Sequence, residues 1–85
     1  MSTRNRRDTL SILSDLLDNM QEPRRVTSLL YATNLSYTQF SKYLTMVRKM
    51  GLAQVQHKPY SFYQVTNEGK FFINMVKKRI DRPEI

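Results

Sequence analysis

The stretch from Asn34 to Gly51, NLSYTQFSKYLTMVRKMG, constrains the fold more than any other, because both of its ends and both of its faces are written in residue chemistry. Ser36 is a good N-cap, since its hydroxyl can accept from an otherwise unpaired backbone N–H in the first turn. Gly51 suits the position just past the end, where it enters the left-handed conformation without a Cβ clash. Arg48 and Lys49 sit in the last turn, where cations suit the helix dipole. Between the ends, Tyr37, Phe40, Tyr43, Leu44, Val47 and Met50 recur on one side at helical spacing. Thr38, Lys42, Thr45 and Lys49 fall on the other, with Gln39, Ser41 and Met46 at its borders. That second face has no acid; it carries hydroxyls, an amide and cations, the side-chain types that reach base edges and phosphates.

The 85 residues are expected to form one domain with a modest core, 1–85, so association or close packing should help it. Cysteine is absent, which excludes a disulfide staple or a thiolate metal site and fits a reducing cytoplasm. No apolar run approaches the roughly 20 residues of a membrane span. After Arg4, Arg6 and Arg7 the chain is broken by Asp8, Ser11, Ser14 and Asp15, so a secretory leader is not expected there. A net charge of +7 and a pI near 10.1 bias the chain toward polyanionic partners. Charge alone does not separate DNA from RNA, acidic protein or anionic membrane.

In chain order, Asn5 and Asp8 stand in a capping-box-like relation ahead of a first helix that runs to about Asn19. Leu10, Leu13, Leu17 and Met20 form its expected buried stripe, widened by Ile12 and Leu16, with Asp15 and Asp18 on the wet side. Gln21 to Arg25 reads as a connector punctuated by Pro23. Val26 to Thr33 reads as a second helix with Val26, Leu29, Leu30 and Ala32 inward. Asn34 to Ser36 is the turn, where Asn34 tolerates positive φ and Leu35 plugs the bend. After Gly51 the period becomes two: Ala53 and Val55 face one side, Gln54 and Gln56 the other. Lys58-Pro59-Tyr60-Ser61 turns the chain, and Phe62 to Val65 returns with Tyr63 and Val65 beside Ala53 and Val55. Thr66 caps a last helix to about Ile80, with an apolar band of Phe71, Phe72, Met75, Val76 and Ile80; Pro83 ends it.

Helix, helix, helix, hairpin, helix is the order of a winged helix-turn-helix, mainly α with a β-hairpin. The expected division is 6–66 for the helix-turn-helix and wing and 67–80 for a dimerisation helix. In helix-turn-helix proteins the second helix of the motif enters the major groove, which assigns helix 36–50 that role.

The run Leu30-Tyr31-Ala32-Thr33-Asn34-Leu35-Ser36-Tyr37, then Phe40, Tyr43-Leu44, Met50-Gly51-Leu52 and Tyr63-Gln64-Val65-Thr66 with Glu68 and Gly69, resembles a family of small archaeal winged-helix proteins. These are known as predicted transcriptional regulators, and some are abundant DNA-binding proteins of archaeal chromatin. The likeness spans roughly Arg7 to Ile80. It implies double-stranded DNA binding through Ser36, Tyr37, Gln39 and Lys42, an archaeal cell or virus as source, a nucleoid-associated place in the cytoplasm, and dimerisation through the C-terminal helix. In some relatives that helix forms a long antiparallel coiled coil; here it is short and ends in Lys77-Lys78-Arg79, which suits compact pairing through Phe72, Met75, Val76 and Ile80.

From the residues themselves, Ser36, Thr38, Gln39 and Lys42 are candidates for base or nearby backbone contact, with Thr45 on the same face. Arg24, Arg25, Arg48, Lys49, Lys58 and Tyr60 are candidates for phosphate. A solvated helix face and a solvated loop would read similarly; the hairpin behind the helix, the charge and the missing acids favour DNA. Tyr43 reads as core and Tyr37 as a partly exposed ring. Arg4, Arg6 and Arg7 are a basic arm or a plain terminus. The last helix is apolar over too wide an arc for a small domain to cover, which favours a homodimer.

Nothing in the chain points to an enzyme. Acid pairs are not suitably spaced, glycine stands only at 51 and 69, and His57 has no metal-ligand neighbours. No cofactor, metal or small-molecule ligand is expected. The expected function is a homodimeric double-stranded DNA-binding protein regulating transcription. Sequence-tolerant chromatin protein and protein-interaction adaptor are the rivals, and RNA binding through Tyr60 and Phe62 is a weaker third.

Overall fold

The computed structural model describes residues 8–57 and 60–81, with the side chains of 79–81 left aside. The elements run α1 (Thr9–Asp18), β1 (Arg24–Arg25), α2 (Val26–Thr33), α3 (Tyr37–Lys49), β2 (Ala53–Gln56), β3 (Phe62–Val65) and α4 (Asn67–Asp81). Four helices and a small three-stranded antiparallel sheet thus follow the winged-helix order.

Asp8 caps α1: its carboxylate oxygen accepts from the Ser11 N–H at 2.8 Å. Asn5 and the arginines around it lie outside the described residues. Ile12, Leu13, Leu16, Leu17 and Met20 are buried, whereas Leu10, expected in that stripe, is exposed. It sits in the opening turn of α1, where the described residues cover it only in part.

α2 has the expected bounds and ends at Asn34 in the left-handed conformation, φ 57° and ψ 34°. Leu29 is fully buried, and Val26, Leu30 and Leu35 pack against the core. Ala32 faces outward, contrary to expectation, and Thr33 takes the inward place. Burying a threonine is tolerable here because its hydroxyl donates to the Leu29 carbonyl at 2.9 Å.

α3 begins where Ser36 Oγ accepts from the Gln39 N–H at 3.2 Å. It ends in a Schellman motif: the Gly51 N–H donates to Arg48 O at 3.1 Å and the Leu52 N–H to Val47 O at 2.9 Å, with Gly51 at φ +77°. Phe40, Tyr43, Leu44 and Val47 are buried. Tyr37 and Met50, at the two ends of the same side, are exposed; the neighbours that cover the middle of the helix do not shield its end turns.

In the hairpin, Ala53 pairs with Val65 and Val55 with Tyr63, so these four share the inward side. Gln54 pairs with Gln64 and Gln56 with Phe62 on the outer side. Lys58 and Pro59 of the turn lie outside the described residues. The supposed connector supplies a third strand: Arg24 pairs with Tyr63 and Arg25 with Phe62, giving the order β1-β3-β2. Two residues carry no alternation to read; the strand exists because β3 offers an edge.

α4 splits its apolar band. Ile73 and Val76 are buried and Phe72 packs against the core, while Phe71 and Met75 face outward, 67% and 49% exposed. The Ile80 side chain lies outside the description. Lys77 Nζ stands 3.7 Å from an Asp18 carboxylate oxygen, an exposed pair worth about 0–1 kcal/mol at most. None of the described helices is long and apolar enough to cross a membrane.

Candidate nucleic-acid interface

The charge of the chain is segregated. Its seven acids are Asp8, Asp15, Asp18, Glu22, Glu68, Asp81 and Glu84, so none lies between Pro23 and Asn67. That acid-free span holds β1, α2, α3 and both hairpin strands, and carries Arg24, Arg25, Lys42, Arg48, Lys49 and Lys58. From β1 through the wing the fixed side-chain charge is therefore all positive, and the carboxylates belong to α1, the connector after it and the C-terminal segment. A polyanion meets no fixed negative charge along this span.

α3 is 13 residues long, about 20 Å at the usual rise, enough to lie in a groove for much of its length. Packing Phe40, Tyr43, Leu44 and Val47 inward turns Thr38, Gln39, Lys42, Thr45 and Lys49 to solvent, and all five are exposed. Ser36 and Tyr37 are exposed at the N-terminal end, Tyr37 by 67%. Ser36 is already committed as an acceptor to the Gln39 N–H, which leaves its O–H as a donor for an outside oxygen. Tyr43 is buried, as expected, and the Lys42 ammonium lies 5.2 Å from its ring centroid. Lys42 is thereby drawn along the helix surface and not extended freely from it.

The flanking cations are also held by aromatics. The Arg48 guanidinium carbon lies 5.8 Å from the Tyr63 ring centroid, so the last turn of α3 reaches over the base of the wing. The Arg25 guanidinium carbon lies 4.4 Å from the Tyr60 centroid, which brings the mouth of α2 and the wing together. Arg24 and Arg25 are both exposed. Arg25 is the residue before α2 but gives it no side-chain cap, so the first-turn N–H groups are left to water or to an oxygen ligand.

Thr27, Ser28 and Tyr31 form an exposed hydroxyl row on α2, with Tyr31 79% exposed. The sequence alone places them there: once Val26, Leu29 and Leu30 point inward, positions 27, 28 and 31 fall on the opposite arc. At the wing, His57 Nδ1 and Ser61 Oγ are 3.2 Å apart and brace the hairpin on the near side of its turn. Of the α4 residues expected to pair with a second copy, Met75 is open, Phe72 is half-buried, and Val76 is enclosed by its own chain. No cluster of metal-ligand side chains occurs among the described residues.

A model of the winged helix-turn-helix family matches residues 6–83. No curated protein matches the chain. Among solved structures it is similar to Sso10a-2, a DNA-binding protein from Sulfolobus solfataricus, at 25% identity. That match covers 88% of this chain and 80% of the other, with a TM-score of 0.80.

Proposed function

The chain belongs to the winged helix-turn-helix family, and from that premise we propose that it binds double-stranded DNA with the N-terminal half of α3 in the major groove. The observation behind this is the acid-free outer face of α3, together with Arg24 and Arg25, which the β1–β3 pairing and the Tyr60 ring set beside the wing. Ser36, Tyr37, Thr38, Gln39, Lys42 and Thr45 meet base edges or the adjoining backbone. Arg24, Arg25, Arg48, Lys49 and Lys58 neutralise phosphates. The similar Sulfolobus protein is itself described as DNA-binding, which supports the assignment.

The measurement that tests this is duplex affinity against salt. If about six phosphates are neutralised, affinity falls about 10³-fold between 50 and 200 mM salt. A complex indifferent to salt, or no retention of duplex at moderate salt, would refute it and leave the adaptor role.

The protein is proposed to act as a homodimeric transcriptional regulator, pairing through residues 67–80. On α4, Glu68, Phe71, Met75 and Lys78 are all exposed and recur at spacings of three, four and three, the seam of a two-helix coil. Antiparallel pairing about position 73 sets Phe71 against Met75 of the second copy and Glu68 against Lys78. Two-fold symmetry then places half-sites about 34 Å apart or a multiple of it. Gln39 is the bidentate base reader on α3, which is sparse equipment for reading sequence, so a sequence-tolerant chromatin role is the second reading.

A further inference from the structure

We propose that Tyr60 is a positioning residue for Arg25, holding its guanidinium between the wing and the start of α2 so that it meets a DNA phosphate already ordered. This rests on the duplex-binding function above and assigns Tyr60 a role other than phosphate contact.

Three contacts close a loop. The Arg25 backbone pairs with Phe62 across the β1–β3 ladder. The Phe62 ring meets the Tyr60 ring edge-on, with centroids 6.3 Å apart and planes at 76°. The Tyr60 ring in turn carries the Arg25 guanidinium at 4.4 Å. Arg25 is thus fixed at its backbone by one strand and at its tip by the residue that leads into that strand. An exposed arginine otherwise gives up its rotamer freedom at the moment a ligand immobilises it. Stacking over a ring takes up the flat surface of the cation and leaves its N–H donors at the rim for a phosphate oxygen. The acids nearest in sequence are Glu22 and Glu68, outside the cationic span. The ring is 55% exposed, so its removal leaves the buried core intact.

The chemistry separates positioning from direct contact. A ring that only carries the guanidinium needs no hydroxyl, so Y60F should bind duplex like the parent. Y60L keeps apolar bulk but lacks the π face, and should bind about two- to fivefold more weakly, the range of an exposed cation–π contact. R25A should remove one phosphate contact and lower the slope of log affinity against log salt by about 0.9.

The experiment is a double-mutant cycle with full-length protein and a mixed-sequence duplex, read by fluorescence anisotropy at several salt concentrations, with thermal melts confirming that each variant is folded. The expected result is that R25A/Y60L binds no more weakly than R25A alone, and that Y60F matches the parent. R25K keeps the charge and a weaker contact with the ring, so Y60L should cost it less than it costs the parent. Additive losses from R25A and Y60L, or a Y60F defect equal to that of Y60L, overturn the positioning role while leaving duplex binding intact. Absence of duplex binding by the parent overturns both.

Discussion

The Thr66 hydroxyl donates to the Gly51 carbonyl at 2.7 Å and accepts from the Gly69 N–H at 3.0 Å. One side chain therefore joins the C-terminal end of α3 to the first turn of α4. The Thr66 N–H adds a bond to the Leu52 carbonyl at 3.0 Å, and the Thr66 carbonyl accepts from Lys70. The orientation of the proposed dimerisation helix is thus tied to the same Gly51–Leu52 corner that ends the proposed recognition helix. Any two-fold spacing between paired α3 helices passes through this joint.

Replacing Thr66 with Val keeps the shape and removes both side-chain bonds. We expect a loss of about 1–2 kcal/mol, the usual cost of a lost N-cap plus one further hydrogen bond. Thr66→Ser should retain most of the stability. Thermal and urea denaturation of the three proteins decide this; equal stability of the Val and Ser variants would show that the joint contributes nothing.

The two glycines should respond to alanine for different reasons. A Cβ on Gly69 would collide with the Leu52 carbonyl oxygen and press on Val65 Cγ2. Helix propensity alone favours alanine there by about 1 kcal/mol. Overpacking against backbone outweighs it, and Gly69→Ala should destabilise by about 1–3 kcal/mol. Gly51 has open space around it but sits at φ +77°. Gly51→Ala should cost only the backbone term, about 1–2 kcal/mol. A stabilised Gly69→Ala protein, measured by equilibrium denaturation, would contradict the packing at this joint.

Gln39 and Lys49 should separate specificity from affinity. Gln39→Ala removes the bidentate amide of α3 and should flatten the preference among competing duplexes by about 1–3 kcal/mol if it reads adenine. Lys49→Ala should weaken all sequences alike and lower the salt slope by about one. Selection from a random duplex pool, repeated with each variant, provides the readout. Uniform effects from both changes would favour the sequence-tolerant role.

On α4, Met75→Lys puts a charge in the middle of the exposed Glu68, Phe71, Met75, Lys78 seam without entering the core. Sedimentation equilibrium should show the parent as a dimer and the variant as a monomer with an unchanged far-ultraviolet spectrum. Val76→Ala should behave oppositely, leaving association intact and lowering stability by about 1–3 kcal/mol, since the side chain packs within its own chain. A monomeric parent would end the seam assignment.

Local chemistry made much of this protein legible from its residues. Ser36 and Gly51 bound α3 because capping and a left-handed exit depend on the residue itself and its near neighbours. Asn34 marked the turn for the same reason. The hairpin register followed from a period of two, which admits no one-residue slip without exposing Val65 and Tyr63. The polar face of α3 was visible because burying Phe40 and Val47 leaves it nowhere else to point.

Tertiary structure alone decided what period and capping do not encode. Arg24 and Arg25 became a strand because β3 had an edge to pair, and no pattern in two residues announces that. The wide apolar arc of α4 divided into Ile73 and Val76 inside and Phe71 and Met75 outside, because burial depends on which surfaces α1 and β3 can cover. Leu10, Ala32 and Met50 stayed in solvent, and Thr33 went in, by the same rule. The contact between Arg25 and Tyr60 joins residues far apart in the chain, so it awaited the fold. Sequence sets the preference of each segment; the neighbours that the fold brings determine which apolar surface is covered and which cations are held in place.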